Sequence, residues 1–468
     1  MTPTLGKNSA ALTEAPSDIG ARLDRLPSSW PVWRLILLIS LGGCFEFYDL
    51  MMTAYIAPGL VKAGIFHAGA KGLFGLSDQA SFAAATFLGL FIGTILFARV
   101  ADRFGRRAVF TASLLWYTAA TLAMAFANTA ISLDIWRLIS GVGIGVELVT
   151  IDAYIAEMTP PALRGRAFAI SQSVQFLAVP IVAFACWRLI PLAPLGLAGW
   201  RWVMLLGALG AVAVWFIRAR LPESPRWLVG VGRYAEAEHI VAALERRVLA
   251  SGSRPLAEPS SVRSKTAPGE ADIFSPLYRR RTLMLVAFNI AQAIGFYGFG
   301  NWAPSLIAAR GHGVTQSLGY AFAIAIAYPL GPLLCAAFAD RIERKHQIAA
   351  AAIMTALLGL TFAGQSAPAA LIALGIGITL SNNLLSFAYH AYQAELYPTA
   401  IRARAVGFVY AWSRLSTVFS SLIIAGLLDR FGATGVFTFI AAAMAVVVVS
   451  VGVFGPRTLG QSLETSAA

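Results

Sequence analysis

Charge is what this 468-residue sequence lacks most. Asp, Glu, Lys and Arg make up 13% of it and hydrophobic residues 58%, against about 25% charged and 45–50% apolar in soluble domains. An ordinary soluble enzyme is excluded on that ground. Cysteine is scarce: Cys44, Cys186 and Cys335 each sit in an apolar stretch. Such a set builds no disulfide framework, and no CxxC or Cys/His spacing suggests zinc. The histidines, His67, His239, His312, His346 and His390, form no HExxH, and there is no GxSxG. A membrane protease or transferase therefore lacks its motif, and neither a metal nor a cofactor is expected. The first 30 residues are polar and lack the apolar core of a cleavable signal peptide. Acidic residues are outnumbered 23 to 36, a net charge of +13. Nucleic acid is not the expected partner, because the basic residues fall between apolar runs.

Those runs dominate the chain. Twelve are long enough to span a bilayer, each needing about 20 mostly apolar residues. They begin near Trp33, Gln79, Ala108, Ile131, Ala167, Trp200, Thr282, Thr315, Ile348, Ala369, Ala403 and Ala433. With the amino terminus in the cytoplasm, 28 Lys and Arg fall on the cytoplasmic side, 6 on the other and 2 inside spans. That bias predicts both termini in the cytoplasm. The reading is an all-α membrane protein with twelve transmembrane helices in two parallel six-helix repeats. Residues 1–32 form an amino tail, 33–220 and 282–455 the two six-helix bundles, and 456–468 a carboxyl tail. The linker 221–281 starts with a short helix predicted over Tyr234 to Leu249 and becomes Pro/Ser-rich.

Two segments recur at one offset of 238 residues. Asp102-Arg-Phe-Gly-Arg106-Arg is echoed by Asp340-Arg-Ile-Glu-Arg344-Lys, and Glu157-Met-Thr-Pro-Pro-Ala-Leu-Arg164 by Glu395-Leu-Tyr-Pro-Thr-Ala-Ile-Arg402. A parallel repeat of this kind is typical of secondary transporters, with the substrate site at the repeat interface near the midplane.

On these residues the chain resembles the major facilitator superfamily over essentially its whole length. Ala98-x-x-Ala101-Asp102-Arg103-x-Gly105-Arg106-Arg107 is similar to that superfamily's loop signature, with Ala98 where Gly is usual. Tyr48-Asp49, the run Arg137…Gly141-x-Gly143-x-Gly145, Tyr154-x-x-Glu157 and Pro222-Glu-Ser-Pro-Arg-Trp227 resemble the branch that joins sugar porters to metabolite:proton symporters. The segment Ile19 to Pro27 resembles niacin-type metabolite transporters. The resemblance implies that the repeated charges, Asp102, Arg106, Glu157, Arg164, Asp340, Arg344, Glu395 and Arg402, close a cytoplasmic gate; simple positive-inside anchoring is the alternative. It also implies a proton-coupling role for Asp49 with Arg137.

The charges that do not repeat are the informative ones. A charge deep in the bilayer costs at least about 2.5–3.5 kcal/mol on insertion scales, so it faces a cavity or a partner. Asp49 lies about 13 Å and Arg137 about 9 Å from the outer surface at 1.5 Å per residue, so they can meet. The pair reads either as a proton-coupling device or as a static link between the first and fourth spans. Glu46 is one turn from Asp49 and reads as a second proton site, a substrate contact or a partner for another helix. Glu147 and Asp152 fit a structural network or a proton path.

Arg414 sits mid-span in the eleventh run, where its planar fork suits a carboxylate; a structural bridge is the other reading. Gln172, Gln175 and Gln292 match or adjoin positions that sugar porters use for hydroxyls. Tyr297, Asn301, Trp302 and His390 add aromatic and ionisable groups where polyol readers are usual in sugar porters, and Tyr48 is a candidate aromatic companion of Arg414 for a flat or small organic anion. The expectation is a monomeric transporter in a bacterial inner membrane that imports a small organic acid with protons, a sugar or polyol symporter being the alternative.

Overall fold

The structure, a computed structural model, describes residues 18–67, 77–218, 221–252, 255–258, 273–338, 342–397 and 399–458; it does not describe the side chains of 96–102, 148–149, 217–218, 336, 338, 399–400 and 402–403. Among the described residues there is no strand. The helices are α1 (Asp18–Asp24), α2 (Trp30–Lys62), α3 (Asp78–Phe104), α4 (Arg106–Ala125), α5 (Ala130–Met158), α6 (Pro161–Phe176), α7 (Ala178–Leu189), α8 (Gly199–Arg218), α9 (Pro225–Gly230), α10 (Tyr234–Ala250), α11 (Pro276–Gly300), α12 (Ala303–Ala308), α13 (Val314–Ala325), α14 (Ala327–Phe338), α15 (Arg344–Ala363), α16 (Pro368–Glu395) and α17 (Thr399–Val447). Eleven helical stretches are long and apolar enough to cross a membrane. The last is double: Gly432, at φ 62° and ψ −160°, breaks α17 into two limbs. A left-handed φ of this kind is what glycine tolerates and other residues resist.

Two spans are broken by proline. α6 ends at Phe176, four residues before Pro180, and α13 ends at Ala325, four before Pro329. In each case the ring removes a helical N–H and crowds the carbonyl four residues back. The breaks face each other across the molecule, where the Ser173 hydroxyl donates to the Pro329 carbonyl at 2.5 Å. Bare backbone also sets the tightest crossing, between α3 and α5. A Cβ on Gly93 would lie 2.1 Å from the Val142 carbonyl oxygen, and one on Gly145 2.3 Å from that of Leu90. Only glycine permits this approach, as small residues do generally between membrane helices. It is what brings Thr86 of α3 within reach of Arg137 of α5.

Helices α2 to α8 form one half and α11 to α17 the other. The face bearing α1, α9 and α10 is termed the linker side and its opposite the far side. On the linker side, Ile19, Leu23 and Leu26 pack with Val241, Leu244 and Val248 of α10 and with Ile155 and Met158 of α5. Arg22 and Arg25 both donate to Glu245, at 2.6 and 2.5 Å, and Arg226 pairs with Asp24 at 2.5 Å. Glu223 accepts the backbone N–H groups of Arg106 and Arg107, placing a carboxylate on the N-terminus of α4 where the helix dipole favours it. Gly105 makes room for it: its φ is 97°, and a Cβ there would lie 2.5 Å from a Glu223 oxygen.

The halves meet at mid-depth and toward the far side. Phe87 and Phe176 pack on Tyr297 and Phe296, Trp187 stacks on Phe322 at 5.7 Å, and Gln79 donates to Ser305 at 2.7 Å.

Candidate transport site

The first cluster lies inside the α2–α8 half. Arg137 and Asp49 are both buried, at 0% and 4% exposure. Arg137 Nη1 donates to Asp49 Oδ2 at 2.7 Å, Nη2 to the Asp49 carbonyl at 2.6 Å, and Nε to Thr86 Oγ1 at 2.9 Å. The Asp49 carboxylate also accepts from Thr121 at 2.8 Å and Ser140 at 2.9 Å. Four helices therefore converge on one ion pair. Such pairs survive burial only when the remaining lone pairs and protons are satisfied, as they are here.

Glu46, one turn closer to the linker side, is fully buried. Glu147 is also buried and accepts from Ser113 at 3.3 Å. Asp152, nearer the linker end of α5, is exposed and lies within the electrostatic reach of Arg414.

The second cluster lies in the other half and has a different character. Arg414 is 2% exposed, yet among the described residues it forms no ion pair. Its Nη1 donates to the Tyr297 hydroxyl and its Nη2 to the Tyr410 hydroxyl at 2.8 Å. The guanidinium also lies over the Tyr410 ring, 4.9 Å from its centre. His390 stacks on Tyr389 at 4.1 Å and meets Tyr410 edge-on at 5.6 Å. Two phenols thus hold a buried cation, and an aromatic wall surrounds it.

The remaining expected contacts are dispersed. Tyr48 donates its hydroxyl to the Val203 carbonyl at 2.9 Å, so it is directed into its own half, toward α8, and away from Arg414. Gln175 donates to Ser171 at 2.9 Å, while Gln172 is half-buried one turn before it. Gln292 and Asn301 are buried on α11 and at its end, and the Asn301 side-chain oxygen has no hydrogen-bond partner among the described residues. Trp302 is buried, whereas Trp412 packs on Phe408; the ring companions of Arg414 are Tyr297 and Tyr410. Tyr410 carries a sequence signal of its own: it precedes Arg414 by four, one helical turn.

At the linker ends, Arg106 pairs with Glu157 at 3.0 Å and Arg344 with Glu395 at 2.7 Å. Each pair lies within one half, and the two are related by the repeat offset. Arg164 stands within reach of Arg226 and Asp24. Asp340 lies outside the described residues, as do the side chains of Asp102 and Arg402.

Comparison with known proteins agrees with this architecture. The sequence profile described as "Sugar (and other) transporter" matches residues 35–468. A Bacillus subtilis protein named for metabolite transport is 32% identical over 445 residues, spanning 94% of this chain and 96% of that one. The niacin transporter of Acinetobacter baylyi is 28% identical over 464 residues, spanning 96% and 99%. The partially occluded, inward-open structure of the Escherichia coli xylose transporter superposes with a TM-score of 0.72, covering 92% of this chain and 99% of that one at 18% identity. The chain belongs to the sugar (and other) transporter family of the major facilitator superfamily, and is a multi-pass membrane transporter of small molecules.

Proposed function

We propose that the protein is a proton symporter that imports a small organic acid across a bacterial inner membrane, acting as a monomer with the linker side and both termini in the cytoplasm. Proton handling is assigned to the α2–α8 half and anion binding to the other. The observation that carries this reading is the contrast between the two buried arginines. Arg137 has its carboxylate, Asp49, at 2.7 Å, whereas among the described residues Arg414 donates only to the hydroxyls of Tyr297 and Tyr410, with Asp152 within electrostatic reach but not paired with it. A buried guanidinium with no carboxylate in contact is costly. A substrate carboxylate supplies that charge for part of the cycle, in a bidentate geometry suited to Arg.

In the other half, a proton on Asp49 removes the charge that holds Arg137. The Arg137 links to α2 and α3 then weaken, and these helices are freed to move. Glu46, one turn away, is assigned a supporting share of that proton traffic. The ion pairs Arg106–Glu157 and Arg344–Glu395, with Arg164 and the charges Asp102, Asp340 and Arg402, are assigned to the cytoplasmic gate. An aromatic acid fits the ring-lined walls, and the similarity to a niacin transporter supports that choice. A sugar or polyol is the second reading, favoured by the amides of Gln172, Gln175, Gln292 and Asn289.

The deciding experiment is Arg414→Lys in purified protein. Lys keeps the charge but loses the fork. A carboxylate ligand should bind at least about tenfold more weakly, a loss of about 1.4 kcal/mol. Its amide should bind poorly to both proteins. A neutral sugar bound equally by wild type and variant would overturn the acid reading and promote the sugar one.

A further inference from the structure

We propose that His390 is a fixed hydrogen-bond acceptor for the transported acid, selecting molecules that carry a hydroxyl or N–H donor about one aromatic ring away from the carboxylate. The inference rests on the reading of Arg414 as the carboxylate anchor.

His390 Nδ1 lies 2.7 Å from the Ser386 carbonyl oxygen. A carbonyl oxygen only accepts, so Nδ1 carries the ring proton, and in the neutral imidazole Nε2 is left with a lone pair. Nε2 has no hydrogen bond among the described residues. The ring cannot easily turn to find one. Tyr389 covers one face at 4.1 Å and 30°, Tyr410 meets it at 5.6 Å and 60°, and the Ser386 bond pins its edge.

Tyr410 is the ruler of the site. Its ring contacts His390, and the same ring lies 4.9 Å from Arg414 Cζ while its hydroxyl accepts from Nη2. One tyrosine therefore separates the anion anchor from the acceptor. His390 is half-buried, so it remains open to a ligand. A pre-placed acceptor discriminates because an analogue without the donor leaves it desolvated and unpaired.

The test uses the full-length protein and titrates benzoate, 4-hydroxybenzoate, 4-hydroxybenzamide and terephthalate by calorimetry. The expected result is that wild type prefers 4-hydroxybenzoate to benzoate by about tenfold or more, the order that leaving one buried acceptor unpaired produces. His390→Phe should erase that preference, and His390→Gln, which keeps an acceptor, should restore part of it. Equal binding of the two acids by wild type, or a preference that survives in His390→Phe, would overturn the proposal. Tightest binding of terephthalate would also overturn it, since that points to an imidazolium. Benzoate binding without hydroxyl preference removes only the role of His390. Failure of every acid, or equal binding of the amide, removes the Arg414 anchor and this inference with it.

Discussion

Asp49 is held by three donors from two helices, Arg137, Thr121 and Ser140, so the consequence of neutralising it is specific. Asp49→Asn keeps the shape and loses the charge that a proton would cancel. Uptake driven by a pH gradient in proteoliposomes should vanish, while counterflow exchange, which needs no net proton movement, should persist. Accumulation at the wild-type level would exclude Asp49 from coupling. Asp49→Ala should instead unfold more readily, because breaking a buried pair from one side costs about 3–5 kcal/mol. The ion pair itself was legible in the sequence, since charges inside apolar spans are rare enough to name. Its neutral partners were not. Ser and Thr abound in these spans, and most close on their own helix: Thr118 donates to the Leu114 carbonyl and Thr417 to that of Ser413. Nothing in sequence spacing separates those hydroxyls from Thr121 and Ser140, which donate to another helix, or from Thr86, which closes on the Phe82 carbonyl of its own helix and still accepts from Arg137. The direction of Tyr48 was hidden for a related reason. Its neighbour Asp49 faces Arg137, but one residue along a helix turns the side chain by about 100°, here toward α8.

Element by element, the apolar spans and the linker helix were readable; the linker helix expected over Tyr234 to Leu249 runs Tyr234–Ala250. The breaks at Phe176 and Ala325 were not, because total apolarity over 20 residues is blind to a missing N–H. The polar tail also conceals α1. Its apolar residues Ile19 and Leu23, with Leu26 just beyond its end, recur at helical spacing, but seven residues form a stable helix only against a partner. That partner is α10. Burial alone would push the Glu245 carboxyl up, but hydrogen bonds from Arg22 and Arg25 outweigh it and hold it below the usual carboxylate range. A depressed carboxylate stabilises the folded form above its unfolded value, and that stability is lost as the pH falls. Docking of α1 should therefore be firm at neutral pH and loosen below about pH 4.5, the ordinary glutamate range. Glu245→Gln should raise trypsin cleavage after Arg22 and Arg25 at pH 7 by about tenfold or more, hydrogen bonds to charged groups being worth about 1.5–3 kcal/mol. Cleavage equal to wild type would mean that the apolar contacts alone hold α1.

On the scale of the whole molecule, two halves built on one repeat meet chiefly at mid-depth and on the far side. The repeat was legible because its loop motifs recur at one offset, and the ion pairs Arg106–Glu157 and Arg344–Glu395 obey it. How the halves meet was not legible, since a transporter sequence must satisfy more than one arrangement of the same surfaces. The far-side seam in this arrangement includes the Trp187–Phe322 stack and the Gln79–Ser305 hydrogen bond. If transport requires that seam to part, holding it shut must stop uptake without destroying the binding site. Replacing Gln79 and Ser305 together by cysteine and joining them with a short thiol cross-linker supplies that restraint. Uptake should fall to background on cross-linking and return when the linker is cleaved. Ligand binding measured on the purified, cross-linked protein should stay within about twofold of the unlinked form, about 0.4 kcal/mol, because the cross-link lies on the far side and leaves the linker ends of the helices unrestrained. Undiminished uptake at complete cross-linking would show that the halves do not separate there. Loss of binding together with uptake would show that ligand enters from the far side.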